Sequence, residues 1–296
     1  MHVDKTQQIN ILVINAAVET ARDGGVTTVI TPTNGWRSLG LRELWRFHEL
    51  LYFFTWRDIK VRYKQTAIGA LWAILQPLLT MVAFTIIFGR LAGLPSDDIP
   101  YPVFSYTGLL PWMLFTAGLT KASMSLVANA SMVRKIYFPR VILPTAAALG
   151  ALLDFSIASI VLLGMMFFYG VIPGVAILLL PLFVLLAFLT AIGIGLWLAA
   201  LNVKYRDIRY TVPFLTQFWL FLTPVVYPSS MIPDRFRLLY GLNPMAGVVE
   251  GFRWALLGNE HAPGMMMVVS STVVIALFVG GLFYFRRMER EFADVV

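Results

Sequence analysis

Residues 176–200 read AILLLPLFVLLAFLTAIGIGLWLAA, with no charged side chain anywhere in the run. As a helix this stretch rises about 37 Å, enough to cross a hydrocarbon core of about 30 Å. The apolar residues are continuous rather than alternating, so a barrel strand does not fit. Working outward, five similar runs occur at 68–91, 106–127, 142–168, 211–227 and 265–285. The run at 211–227 is the shortest and carries Pro213 and Pro224; Pro77 and Pro181 are expected to kink the first and fourth. Proline is tolerated there because neighbouring helices can satisfy the freed carbonyls. Composition agrees: 58% of the chain is hydrophobic and 13% charged, against about 45–50% and about 25% in soluble domains. The sequence predicts an all-α integral membrane protein with six transmembrane helices.

Charge placement orients the spans. Arg57, Lys60, Arg62 and Lys64 precede the first span, Arg134, Lys135 and Arg140 follow the second, Lys204, Arg206 and Arg209 follow the fourth, and Arg286, Arg287 and Arg290 follow the sixth. The alternate loops hold Arg90 with Asp97 and Asp98, or no charge at all at 169–174. The positive-inside rule then puts both termini in the cytoplasm, with the chain in the cytoplasmic (inner) membrane. The net charge of +7 needs no nucleic-acid partner. The absence of cysteine excludes disulfides and thiolate chemistry, and His2, His48 and His261 match no metal spacing. The run Ile9–Val18 follows Asp4 and Lys5 and is broken by Asn15, which is not a signal-peptide pattern. Residues 1–35 read as a polar, mobile tail and 291–296 as a short cytoplasmic one.

Residues 36–66 differ from the spans. Arg42, Arg46, Glu49, Arg57, Lys60 and Lys64 recur on one face of a helix over 39–64, and Leu41, Leu44, Trp45, His48, Leu51 and Tyr52 on the other. Such a helix lies along the membrane interface, as a simple anchor or as a docking surface for a cytoplasmic partner. Two other cytoplasmic segments invite the docking reading, NASMVRKIYFPR at 129–140 and NVKYRDIRY at 202–210. Both mix arginine with aromatic residues, as protein interfaces do; the alternative is that these aromatics sit in the interfacial belt.

The outer segment 228–264 is too apolar for a solvated loop and too broken for a span. Asn243 before Pro244 is an N-cap followed by a first-turn proline. Two short helices are expected, near 232–240 and 244–257, re-entering the outer leaflet between spans five and six as a gate or as a packed cap. Asp154 falls mid-span, where an ionisable residue is costly. Its expected partner is Lys121, in a structural pair or as part of a site. Tyr106, Trp112 and Phe115 crowd the second span and Trp72 lies on the first. These aromatics either line a substrate path, since their faces stack on sugars, or belong to the belt.

No phosphate-binding loop, H-E-x-x-H, nucleophile elbow or carboxylate pair is present, so no catalytic residue is assigned and any work against a gradient draws on a partner or on an ion gradient. RDIKVRYKQTAIGALWAILQPLL at 57–79, RKIYFPRVILP at 134–144, NVKYRDIRY at 202–210 and TPVVYP at 223–228 resemble the permease subunits of type-2 ABC exporters. The subfamily resembled most is the one that exports lipid-linked polysaccharide: O-antigen, teichoic acid or capsule. The resemblance covers about residues 40–290. It implies a six-helix permease domain at 67–290 that forms a homodimer and binds two separate ATPase subunits, which hold the ATP and magnesium; this chain itself needs no cofactor. It assigns ATPase coupling to Arg134, Lys135, Ile136, Tyr137 and Phe138 and to Tyr205, Arg206 and Asp207, and it matches 228–264 to a re-entrant gate.

The reading that follows is a permease moving a polyprenyl-linked glycan outward, with Arg57 and Arg62 near the cytoplasmic entrance meeting the pyrophosphate. A drug or small-molecule exporter and a non-transporting membrane scaffold are the alternatives. A secondary transporter fits less well, because no repeated half is visible.

Overall fold

The computed structural model describes residues 45–64, 69–136, 138–258, 264–289 and 292. The tail at 1–35, residues 36–44 of the interface segment, Tyr137, His261 and most of the C-terminal tail lie outside them. Every regular element among the described residues is helical. In chain order they are α1 (His48–Lys64), α2 (Ala70–Phe84, continuing as a π-helical turn over Thr85–Leu91), α3 (Tyr101–Ala128), α4 (Ala130–Lys135), α5 (Ile142–Tyr169), α6 (Leu180–Lys204, entered through a 3-10 helix at Val175–Leu179), α7 (Ile208–Leu222), a 3-10 turn at Ser229–Met231, α8 (Asp234–Tyr240), α9 (Pro244–Leu257) and α10 (Gly264–Met288).

Among the described residues, four helical stretches are long and apolar enough to cross a membrane: Leu71–Leu91, Ile142–Tyr169, Val175–Lys204 and Gly264–Met288. α3 is as long as α5, at 28 residues, but is less apolar for a structural reason. It is the central helix, packed between α5 and α6 and touching α2, α7 and α9. Its neighbours, not lipid, cover it, so it carries Ser105, Thr107, Ser123 and Ser125 buried. Their hydroxyls donate back to carbonyls of the preceding turn, as Thr107 does to Val103 O at 2.8 Å and Ser125 to Ala122 O at 2.8 Å. No buried hydroxyl there is left to cost desolvation energy.

α6 is pinned on two sides. A Cβ on Gly195 would lie 2.7 Å from Ala122 Cβ of α3, and one on Gly281 of α10 would lie 2.3 Å from Gly193 O of α6. Small residues here let backbones touch, the packing device available where lipid removes the hydrophobic drive. The core divides along the helix axes into two clusters. One joins Phe54, Leu126, Val133, Phe138, Ile142, Leu196 and Phe285 at the α1 end. The other joins Tyr106, Trp112, Phe115, Phe183, Val225 and Phe252 at the α9 end.

Two expectations need correction. α1 exists, but its faces are not those read from periodicity. Phe54 is buried and Leu50 and Leu51 are half-buried against the bundle, while Trp45, His48 and Tyr52 are exposed, as are Phe53, Trp56 and Val61. A helix with protein on one side and lipid on another has two apolar surfaces, so a two-face reading mixes them. The run at 211–227 does not form one helix either. α7 ends at Leu222 because Pro224 forces the preceding Thr223 to extended backbone (φ −107°, ψ 141°).

The two short helices near 232–240 and 244–257 are present as α8 and α9. Asn243 Oδ1 accepts from Met245 N at 3.1 Å at the start of α9, and Pro244 occupies the first turn, as that dipeptide predicts. α9 is buried on nearly every side.

Candidate functional site

A cavity of about 500 Å³ opens between α2, α3 and α5 at the end that α1 covers. α2 presents Trp72, Gln76 and Thr80 to it, four residues apart and so on one stripe. α3 presents Trp112, Thr116 and Thr120 at the same spacing, followed by Lys121. α5 contributes Ala151, Asp154 and Phe155, and the end of α1 contributes Arg62 and Tyr63. The walls thus carry indole, amide and hydroxyl groups along the cavity and charged groups at one end.

Asp154 is the centre of that end. Lys121 Nζ lies 3.3 Å from its Oδ2. Arg62 Nη1 donates to Oδ2 as well, and the Tyr63 hydroxyl donates to Oδ1. Three elements therefore meet on one carboxylate: α1 through Arg62 and Tyr63, α3 through Lys121, and α5 through Asp154 itself. Burial, reinforced by the Asp154 acceptor, pushes the Tyr63 phenol up to about 12, so it remains a donor at neutral pH. Periodicity pairs Lys121 with Asp154; it gives no sign that α1 reaches the same group.

Of the residues read as a substrate path, Trp72, Trp112 and Arg62 line the cavity. Tyr106, Phe115 and Arg57 do not line it. Tyr106 is fully buried, its hydroxyl donating to Ala158 O at 3.2 Å. Phe115 is fully buried edge-on to Trp219, ring centres 5.3 Å apart. Phe115 thus sits on the side of α3 that faces α7, and Tyr106 packs against α5 next to the cavity-lining Ala158. Arg57 turns away from the cavity, donating to Asp58 Oδ1 at 2.8 Å and Asn129 Oδ1 at 3.0 Å, with its guanidinium over the Phe54 ring.

At the same end, Arg134, Lys135 and Ile136 are exposed at the close of α4. Phe138 is not part of that surface. It is buried, edge-on to Phe54 of α1 at 5.8 Å, because the chain turns inward there to start α5. Tyr205, Arg206 and Asp207 are exposed in the turn between α6 and α7.

Sequence reasoning missed one centre altogether. Arg253 of α9 is fully buried. Its Nη1 donates to Pro224 O at 2.5 Å, Tyr227 O at 3.2 Å and Glu250 Oε1 at 3.0 Å, and its Nη2 to Val225 O at 2.7 Å. Its face lies 3.7 Å from the centre of the Phe104 ring. This guanidinium supplies donors to three of the carbonyls at the break after α7. Carbonyl by carbonyl, Phe221 O takes the Tyr227 hydroxyl, Leu222 O takes Asn243 Nδ2, and Thr223 O takes Val225 N. Pro224, Val225 and Tyr227 take Arg253, Val226 O takes the Tyr101 hydroxyl at 2.7 Å, and Pro228 O takes Met231 N. No carbonyl from 221 to 228 is left unpaired, which is the condition for irregular backbone within a membrane protein. The sequence signal was Glu250 and Arg253 three residues apart in a short apolar helix, close after a segment with two prolines.

Comparison with known proteins agrees with the motifs. Residues 49–257 match the family described as ABC-2 type transporter. The chain is 30% identical to the O-antigen export system permease protein RfbA of Myxococcus xanthus, over 86% of this chain and 98% of the relative. It is 30% identical to the protein of the same name from Klebsiella pneumoniae, over 84% and 95%. It is 26% identical to the polysialic acid transport protein KpsM of Escherichia coli, over 79% and 91%. With the family matched over most of its length and relatives aligned nearly end to end, this chain belongs to the ABC-2 type transporter family.

Proposed function

We propose that the protein is the permease of an ATP-driven exporter that moves a lipid-linked polysaccharide across the cytoplasmic membrane. The observation that carries this reading is the near end-to-end similarity to O-antigen export permeases. The cavity supports it, since indole, amide and hydroxyl groups are the chemistry that holds sugar rings.

In this reading six helices span the bilayer: the four long apolar ones, the central α3, and α7 extended by 223–228. α7 alone, at 15 residues, rises about 22 Å, short of the core. α8 and α9 dip into the outer leaflet as a re-entrant gate, and both termini are cytoplasmic. Two copies form the pathway, and two ATPase subunits bind ATP and magnesium. α4 with Ile136, and the turn at Tyr205–Asp207, meet those subunits.

Depletion of the protein in its native host, followed by extraction of lipid-linked glycans, tests the function. A polyprenyl-linked polymer should build up inside the cell while the surface polymer disappears. Unchanged pools would move the small-molecule exporter and scaffold readings ahead.

The coupling assignment has its own test. Reversing both charges, Arg134→Glu with Lys135→Glu, removes the electrostatic match of an exposed contact. Export should fall at least roughly tenfold, with the complex still hydrolysing ATP within about twofold of normal. Normal export in that double variant would remove the contact from α4.

A further inference from the structure

Among the described residues lining the cavity, three carry charge: Arg62, Lys121 and Asp154. Two cations and a phenol hydroxyl converge on one carboxylate. This is the donor set that recognises a phosphate oxygen, a guanidinium fork with an ammonium and a hydroxyl. Here the protein's own anion fills it. The group faces the cavity and is not sealed within the protein: side-chain exposure is 47% for Arg62, 26% for Lys121 and 21% for Asp154. Beyond the cluster run the hydroxyls and indoles of Trp72, Thr80, Trp112, Thr116 and Thr120, which places sugar-type chemistry next to phosphate-type chemistry in one space.

We propose that Asp154 is an internal competitor for the lipid-phosphate site formed by Arg62, Tyr63 and Lys121, and that it selects diphosphate-linked over phosphodiester lipids. The inference rests on the export reading above. A phosphodiester headgroup brings one negative charge and can only match the carboxylate it would displace. A diphosphate diester brings two, so exchanging Asp154 for it gains attraction to both cations. Without the competitor, the abundant anionic phospholipids of the membrane would occupy the site. The carboxylate thus sets a threshold that bulk lipid does not pass.

The experiment uses the full-length protein in nanodiscs and radiolabelled undecaprenyl pyrophosphate as the probe. In neutral phosphatidylcholine discs, Asp154→Asn should bind the probe about tenfold more tightly than the wild type. Adding phosphatidylglycerol to the discs should weaken probe binding by Asp154→Asn and leave the wild type nearly unchanged. Lys121→Gln, with Asp154 intact, should bind about tenfold more weakly. Asp154→Glu, which keeps the charge, should behave as the wild type. Equal or weaker binding by a folded Asp154→Asn overturns the proposal. If that variant does not fold, unchanged binding by Lys121→Gln overturns it instead, because a cation that merely neutralised Asp154 would not contact the probe. Absence of probe binding by the wild type also overturns it, while the glycan-depletion experiment judges the export reading separately.

Discussion

Arg253→Met should melt about 10 °C below the wild type in detergent, by the usual relation between stability and melting temperature. The side chain is fully buried and its loss strikes twice. Glu250, itself 9% exposed, keeps only the long 3.3 Å contact with Ser229 N, and breaking a buried pair from one side costs about 3–5 kcal/mol. The carbonyls of Pro224, Val225 and Tyr227 also lose their donors, and a buried polar group left without a partner is costly. Lysine is not a substitute, since one ammonium on a flexible stem does not reproduce a planar fork that serves four oxygens. Removing the acid as well, Glu250→Gln with Arg253→Met, separates the two contributions. The double variant should recover part of the loss, the part due to an unpaired carboxylate, and not the part due to the carbonyls. A wild-type melting temperature for Arg253→Met would mean the break after α7 does not depend on this residue.

The second large effect is expected at Gly281. A Cβ there meets a backbone oxygen, Gly193 O at 2.3 Å, and Trp197 Cδ1 at 3.0 Å. Neither yields easily. The carbonyl belongs to α6, and the Trp197 ring is stacked on Tyr284 at 4.7 Å and donates to Leu277 O at 3.3 Å. Across the same crossing a Cβ on Gly193 would lie 2.8 Å from Phe278 N. Gly281→Val therefore forces α6 and α10 apart and opens the small-residue seam along the whole contact. The expected loss is at least about 1–3 kcal/mol, read as a lower melting temperature and a lower folded yield, with Gly281→Ala intermediate. Gly164 on α5 supplies the control, because a Cβ there meets nothing within 4 Å. Gly164→Ala should be neutral or slightly stabilising. If Gly281→Val melts together with that control, the close crossing is not a determinant of the fold.

Much of this architecture is legible from pattern alone. Long uncharged runs give the helices at 142–169, 175–204 and 264–288 within a few residues, and Asn243–Pro244 marks the start of α9. The pairing of Lys121 with Asp154 follows from two ionisable residues in facing spans. What escapes is tertiary. Tyr106 and Phe115 look like Trp72 in hydropathy, and only the central position of α3 shows that both are buried while Trp72 is exposed. Phe138 reads as an exposed aromatic among charges until the chain is seen to turn inward beneath α1. Arg253 reads as one more basic residue in an outer segment, because nothing local reveals that three carbonyls some thirty residues earlier take its Nη donors.

The contact between Phe138 and Phe54 has a mechanical consequence. With the bond from Arg57 to Asn129, it fastens the middle of α1 to the segment that carries α4. Arg62 lies eight positions beyond Phe54 on the same helix, about 12 Å along its axis. A rocking of α1 by about 10° about that fulcrum sweeps the Arg62 end through about 2 Å, as much as separates a formed ion pair from a broken one. A displacement of α4 would therefore reach Asp154 through α1 as a rigid arm, entering by the Phe138–Phe54 and Asn129–Arg57 contacts and leaving by Arg62, without any helix unwinding.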